Sequence, residues 1–408
     1  MLIYLFAEHY PNPYKPYFDT QFAHFLKMGH EILIFAGGQF TSVVHDDVRR
    51  FGLDERTAYL PTTLKTMPAF ISSLLWRWFR APWLSARRGY AVWDKRRLWR
   101  ENLVRAARAI LLPLQGPDVC IVHNLVTAAY FDFLKECYPH SRVCMYWHGG
   151  EVGGVSRVNH EPRIFRRFDV VFTNTLFSRQ QAIGRGCDPA QLVILPVGFD
   201  LEHFVPQADR RYRHQGITRF ISVGRLSEEK GLEYAIDALA MVLAQGVRNW
   251  CYVIVGKGPA LESLRARTVQ HQLSDYIVFA GQQDRKGVLD LLAQADVLIL
   301  PSIETETSAE TQACVVQEAM LMRVPVITTT VGGVPESISA SMRQFAVPPK
   351  DVFAIAEMVR RMLVLPEEEF SRLGDEGRQF VMARYDIDAI NRQLLEGICS
   401  KGVALQRS

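Results

Sequence analysis

Two glutamates eight residues apart, Glu310 and Glu318, are the residues of this chain best placed to do chemistry. They lie in PSIETETSAETQACVVQEAMLMRVPVITTTVGGVPE, residues 301–336. On one helix, eight residues would separate them by roughly 12 Å and turn them by roughly 80°. Two helical glutamates would therefore not share a face. The spacing suits Glu310 in a loop and Glu318 on the helix that follows, each meeting one end of an extended ligand. The plain alternative is a capping glutamate and an exposed helix glutamate. Arg225 and Lys230 form a second constellation, in Gly224-Arg225-Leu226-Ser227-Glu228-Glu229-Lys230-Gly231. Lys230 stands near the start of a predicted helix, where the helix dipole disfavours a cation. An anion held between the two cations would resolve that conflict. Solvated charges partnered by Glu228 and Glu229 are the alternative. The third candidate is His148, which closes the strand-like run 142–147 and precedes Gly149-Gly150-Glu151. That position puts an imidazole at a crevice rim, although a histidine there is more often structural.

The elements that must position these residues alternate. Short apolar runs of strand type occur at 2–6, 30–36, 118–123, 142–147, 169–174 and 191–197, then at 219–223, 250–255, 276–280, 295–300 and 325–331. Between them lie helical stretches. One covers 232–245, with Leu232, Ala235, Ile236, Leu239 and Val242 inward; another covers 311–323, with Ala313, Val316, Ala319 and Met320 near one face. A β/α alternation repeated twice predicts an α/β protein of two doubly wound domains. The polar stretch 206–216 is the linker. The domains are then 1–205 and 206–380, with 381–408 as a terminal helical segment. Gly256-Lys257-Gly258 follows one of the runs, and a structural turn is its default reading.

Composition bounds the function. At 408 residues the length allows two domains, and 48% hydrophobic residues suit a globular enzyme. A formal net charge of +4 gives no argument for a nucleic-acid partner. No run approaches ~18 apolar residues, so no spanning helix is expected. The opening MLIYLFAEHY does not read as a signal peptide. Seven cysteines are scattered without C-x-x-C and read as free thiols of a reducing, cytoplasmic compartment. No metal-ligand spacing stands out; Asp386-Ile387-Asp388 is a D-x-D read as surface charge. Residues 68–114 are unusual. They hold Trp76, Trp78, Trp83, Trp93 and Trp99 and ten lysines and arginines, against Asp94 and Glu101 alone. Either the segment meets a membrane surface, or it is a helical hairpin with its tryptophans packed inward and a solvated basic face.

The 301–336 segment resembles the C-terminal signature of the retaining, nucleotide-sugar-dependent glycosyltransferases of family 4, which have the GT-B fold. The matching residues are Pro301-Ser302, Glu310, Glu318-Ala319-Met320, Pro325-Val326-Ile327 and Gly332–Glu336. The family's Gly-Arg-Leu-x-x-x-Lys-Gly string is matched by Gly224–Gly231, and its His-Gly-x-acid motif by His148, Gly149 and Glu151. Gly198-Phe199-Asp200 with Phe204 resembles the exit from the first domain. Two positions depart: Thr311 and Arg323 stand where the family usually has glycine. The resemblance implies a GT-B fold, in which two doubly wound Rossmann-like domains face a central cleft and the last helix crosses back to the first domain. It implies that Glu310 touches the donor sugar and Glu318 the ribose, that Arg225 and Lys230 clamp the diphosphate, and that His148 faces the sugar. Gly224, Gly256, Gly258, Thr311, Gln312 and Ala313 complete the implied donor site. The implied reaction is transfer from a nucleoside-diphosphate sugar (UDP or GDP), with retention, to a hydroxyl of a saccharide or lipid-linked saccharide, without metal or cofactor. The place would be the cytoplasm, peripheral to the inner face of the membrane. A nucleotide-sugar epimerase-like enzyme and a non-catalytic sugar-nucleotide-binding protein remain as alternatives.

Overall fold

The computed structural model describes residues 1–12, 15–39, 45–95, 97–149, 161–207, 210–306 and 308–399. Gly150 and Glu151 of the predicted His148 motif lie outside the described residues. The apolar runs form two sheets. The first contains β1 (Leu2–His9), β2 (Glu31–Gly38), β3 (Thr57–Tyr59), β4 (Val119–His123), β5 (Arg142–Trp147), β6 (Val170–Thr173) and β7 (Leu192–Ile194), in the order β3-β2-β1-β4-β5-β6-β7. The second contains β8 (Thr218–Val223), β9 (Trp250–Val255), β10 (Ile277–Gly281), β11 (Val297–Leu300), β12 (Val326–Thr329) and β13 (Ala346–Val347), in the order β10-β9-β8-β11-β12-β13. The described strand pairings are parallel. Helices cover both faces of such sheets, so their central strands are apolar throughout. All of β4 and all of β11 are buried. Each sheet reverses its winding beside its first strand, which opens a crevice at the carboxyl ends.

Two crossings of the chain hold the domains together. Phe199, leaving the first domain, bonds through its N–H to the Tyr385 carbonyl at 2.7 Å, and Ile387 N–H returns to the Phe199 carbonyl at 3.0 Å. The helix Ile387–Cys399 then packs Ile390, Leu394, Leu395 and Ile398 into the core of the first domain, beside Ile3 and Leu5. The stretch read as a polar linker is packed onto the second domain. Tyr212 is buried and stacks on Phe370 at 4.9 Å, while Arg210 and Arg213 donate to the Met322 and Met362 carbonyls. Its arginines looked solvent-bound only because their carbonyl partners are far away in sequence.

Residues 68–114 overturn the inward packing of the tryptophans. Three helices, Ile71–Arg80, Pro82–Ala91 and Trp99–Leu111, turn aromatic side chains outward. Phe79, Trp83 and Tyr90 are 80%, 88% and 86% exposed. No residue of Ile71–Arg80 is buried. It is arginine that points inward. Arg88 donates to the Leu112 carbonyl at 2.9 Å, Arg105 to the Val92 carbonyl at 3.0 Å, and Arg108 to the Pro61 and Thr62 carbonyls at 2.6 and 3.0 Å. Arg105 also pairs with the buried Asp132. Guanidinium groups are tolerated inside because loop carbonyls and a carboxylate satisfy them. Among the described residues no helix is long and apolar enough to cross a membrane.

Candidate active site

The carboxyl ends of the two sheets enclose a cavity of about 400 Å³, within the range of small-ligand pockets. Tyr17, Thr20, His45, Asp200 and His203 line it from the first domain. Gly224, Arg225, Lys230, Gly256, Arg285, Glu310, Gln312 and Glu318 line it from the second.

Lys230 and Glu310 meet because two loops come unusually close. Gly231 has φ +60°, and a Cβ there would lie 2.2 Å from the Pro301 carbonyl oxygen. Only glycine lets the loop after β8 lie against the loop after β11. Lys230 Nζ consequently stands 2.6 Å from Glu310 Oε2, which also accepts from Ser302 Oγ at 3.1 Å. Burial alone would lower the lysine pKa, but the Glu310 carboxylate outweighs it and the net shift is upward, so Lys230 is charged. The partner of Lys230 is thus Glu310, and not the adjacent Glu228 or Glu229. Arg225 is exposed to the cavity and makes no ion pair or side-chain hydrogen bond among the described residues.

Glu310 lies in the loop, and Glu318 on the helix Cys314–Leu321. That helix is shorter than the sequence pattern suggested. Thr311 and Gln312 are drawn off to the first domain instead of forming its first turn. Thr311 Oγ1 donates to the His148 carbonyl at 2.6 Å. The Gln312 amide accepts from Val197 N–H at 2.7 Å and donates to the Val197 carbonyl at 2.9 Å. Glu318 lines the cavity with no side-chain partner among the described residues. Burial pushes its carboxyl up to about 7, against the opposing pull of Arg285.

The remaining predicted residues divide. Gly224 and Gly256 line the cavity, and a Cβ on Gly256 would come within 1.8 Å of the Gly224 carbonyl oxygen. Gly258 packs in the same way against the Leu226 backbone and does not line the cavity. Thr311 and Ala313 are buried beside it. His148 is buried behind Tyr17, whose ring lies 5.0 Å from the imidazole. Its Nε2 is 3.2 Å from Nδ1 of the buried His123. Burial pushes His148 well below the ordinary histidine range and His123 down to about 3, so both rings are neutral.

Arg285 was missed by sequence reasoning. It opens the helix Arg285–Gln294 and crosses the cleft, donating to Thr20 Oγ1 at 2.8 Å and the Pro16 carbonyl at 3.2 Å, and pairing with Asp47. Its place just after β10, at a carboxyl end, was the available signal. Below it, His24 bonds Asp200 at 2.8 Å and Asp388 at 2.7 Å, with Lys27 on Asp200 at 3.0 Å. Asp388 is therefore an anchor of the returning helix and not merely surface charge. Burial would lower the His24 pKa, but its two carboxylate partners raise it. Among the described residues no group of three or more His, Cys, Asp or Glu side chains is placed to hold a metal ion.

Residues 210–380 match the family model described as glycosyl transferases group 1. Over 97% of this chain and 98% of the relative, the sequence is 28% identical to the colanic acid biosynthesis glycosyltransferase WcaL of Salmonella typhimurium. It is 28% identical, over 63% of this chain and 69% of the other, to a GDP-mannose-dependent alpha-(1-6)-phosphatidylinositol monomannoside mannosyltransferase of Mycobacterium tuberculosis. Anabaena Alr3699/HepE, solved in complex with UDP, superposes with a TM-score of 0.69 at 14% identity, over 97% of this chain and 99% of that one. The fold is GT-B. Residues 210–380 carry the match to the group 1 model within it, and the two relatives named above are glycosyltransferases.

Proposed function

We propose that the chain transfers a sugar, with retention, from a UDP- or GDP-sugar to a hydroxyl of a saccharide or lipid-linked saccharide in the assembly of a bacterial polysaccharide, lipopolysaccharide or glycolipid. One observation carries this: among the described residues, an arginine without a side-chain partner, a lysine–glutamate pair and a carboxylate without a side-chain partner follow one another around an interdomain cavity. Arg225 and Lys230 face the diphosphate and stabilise the charge that grows there as the anomeric bond breaks. Glu310, beside Lys230, faces the sugar, where positive charge develops. Glu318 accepts hydrogen bonds from the ribose hydroxyls. The acceptor oxygen bonds to the anomeric carbon on the face the diphosphate leaves, and the acceptor's proton passes to the departing phosphate oxygen. Two fixed cations at the diphosphate favour a reaction that needs no metal.

The reaction takes place on the cytoplasmic side, at a membrane surface. The outward aromatic face of residues 71–103 supports this, together with exposed Arg80, Arg87, Lys95 and Arg100 against exposed Glu101. Aromatic tips with basic neighbours suit an anionic bilayer interface. The named mannosyltransferase acts on a phosphatidylinositol mannoside, which adds support for a lipid-borne acceptor. The test is product analysis with UDP- and GDP-sugars, lipid-linked acceptors and EDTA. Transfer with retained anomeric configuration that survives chelation is expected. Interconversion of the donor without acceptor, or activity lost to EDTA and restored by Mg²⁺ or Mn²⁺, would contradict the proposal.

A further inference from the structure

The 301–336 segment touches the first domain at the carboxyl ends of three neighbouring strands. Thr311 reaches the end of β5 at His148, and Gln312 reaches Val197, beyond β7. The Glu336 carboxylate accepts from Leu176 and Phe177 N–H, at 2.6 and 2.9 Å, on the helix that follows β6. Of these contacts, Thr311 stands directly beside the site glutamate and where the resemblance expects glycine. Its hydroxyl donates to the His148 carbonyl and lies 3.3 Å from Asn174 Nδ2, which itself donates to the same carbonyl at 3.0 Å. Its methyl group fits over Gly149. That residue has φ +70°, and a Cβ on it would lie 2.6 Å from Thr311 Cγ2. Glycine at 149 and threonine at 311 are shaped to each other across the domain boundary.

We propose that the Thr311 hydroxyl is an interdomain latch, a positioning residue that holds the cleft closed with Glu310 turned to the donor. A glycine at 311 could make none of these side-chain contacts. Closure would then rest on the Gln312, Glu336 and Arg285 contacts and on donor binding. When the competent state is only partly populated in the free protein, apparent affinity falls by that fraction while turnover at saturation is kept. One buried neutral hydrogen bond shifts such an equilibrium by about two- to tenfold.

The test compares Thr311→Val, which keeps the shape and removes the hydroxyl, with Thr311→Ser, which keeps the hydroxyl. Thr311→Gly, the family's residue, is the third variant. The expected result is a donor KM raised about two- to tenfold in the Val and Gly variants, with kcat close to wild type and Ser near wild type in both. Small-angle scattering without nucleotide should show Thr311→Val more open than Thr311→Ser. A Ser variant as impaired as Val would overturn the latch, because the hydroxyl would then carry nothing. An unchanged KM in Val, or a loss confined to kcat, would overturn it too. The kinetic arm rests on the donor reading given above. The scattering arm does not, so a protein that binds no sugar nucleotide would still report on the latch.

Discussion

The interdomain cleft and the helices of residues 71–111 use the same residue type in opposite ways. In the cleft, Arg225 faces the cavity without a side-chain partner among the described residues, and Lys230 has one carboxylate. In the helices, Arg88, Arg105 and Arg108 are buried and held by carbonyl oxygens and, for Arg105, by Asp132. The cleft keeps its charge in reserve for a ligand and its apolar residues inside. The helices spend their charge on structure and leave their aromatic residues in solvent. An arginine count therefore does not distinguish a binding site from a scaffold. What distinguishes them is whether the protein itself already fills the guanidinium's hydrogen bonds.

Substitutions can break this contrast. The largest effect is expected at Arg105→Ala, which takes a partner from the buried Asp132 and strips the Val92 carbonyl. Arg97 still bonds Asp132 at 2.8 Å, so the cost stays at or below that of a fully broken buried pair, about 3–5 kcal/mol, read as a drop in Tm. A change below ~1 kcal/mol would mean the buried arginines are not structural. Arg225→Ala should instead leave Tm nearly unchanged and lower kcat by about 10²–10³, the scale of losing one charge-stabilising donor. Lys230→Ala should lower kcat on the same scale and also lower Tm, because it strips Glu310 of its partner at 2.6 Å. Near-normal turnover in either variant would end the clamp assignment.

The two glutamates sharpen the picture within the cleft. Glu310→Gln should mainly lower kcat, because its contact strengthens as charge develops on the sugar. Glu318→Ala should mainly raise donor KM, because a ribose contact serves ground and transition states alike. Steady-state kinetics with one donor would show the roles reversed if Glu318→Ala abolished turnover at saturation. Glu318 also makes a pH prediction. Its folded-state value of about 7 exceeds the ordinary 4.5, so ionising it costs stability as pH rises through that window. Glu318→Gln should flatten the stability profile there. The smallest effect on stability is expected from the triple change Phe79→Ser, Trp83→Ser, Tyr90→Ser. These side chains touch mainly solvent, so each change should cost no more than about 0.5 kcal/mol and the triple variant no more than about 1.5 kcal/mol. Binding to anionic vesicles, weakened by salt in the wild type, should be lost. Equal vesicle binding by the variant would remove the membrane role of this face.

Much of the fold was legible because strands buried on both faces write themselves as unbroken apolar runs, as ADVLIL does before Pro301. The loop placement of Glu310 and the helix placement of Glu318 followed from the apolar pattern of the helix together with helical geometry, and their meeting one ligand from the family resemblance. The direction of the 71–111 helices was not legible. Tryptophan and arginine are both amphipathic, so one pattern of spacing fits either facing. Cross-domain partners were hidden for a different reason. Thr311 meets His148 from 163 positions away, and Arg285 meets Asp47 from 238. No local periodicity encodes such pairings. Arg323 is a smaller case of the same kind. It adopts φ +60°, a conformation glycine prefers, under a hydrogen bond from Tyr212 Oη to its carbonyl at 2.7 Å. That support comes from a segment read as linker.

The central claim is that this cleft holds a nucleoside diphosphate sugar through Arg225 and Lys230. Thermal denaturation of the wild type and of Arg225→Ala, each with UDP, GDP and a panel of their sugars, tests it most directly. A ligand that binds only the folded state stabilises it by about 2.7 kcal/mol at a hundredfold excess over Kd. The account predicts a rise in Tm with the nucleotides of one base, and a much smaller rise in Arg225→Ala. No rise with any nucleotide, or an equal rise in the variant, would contradict it.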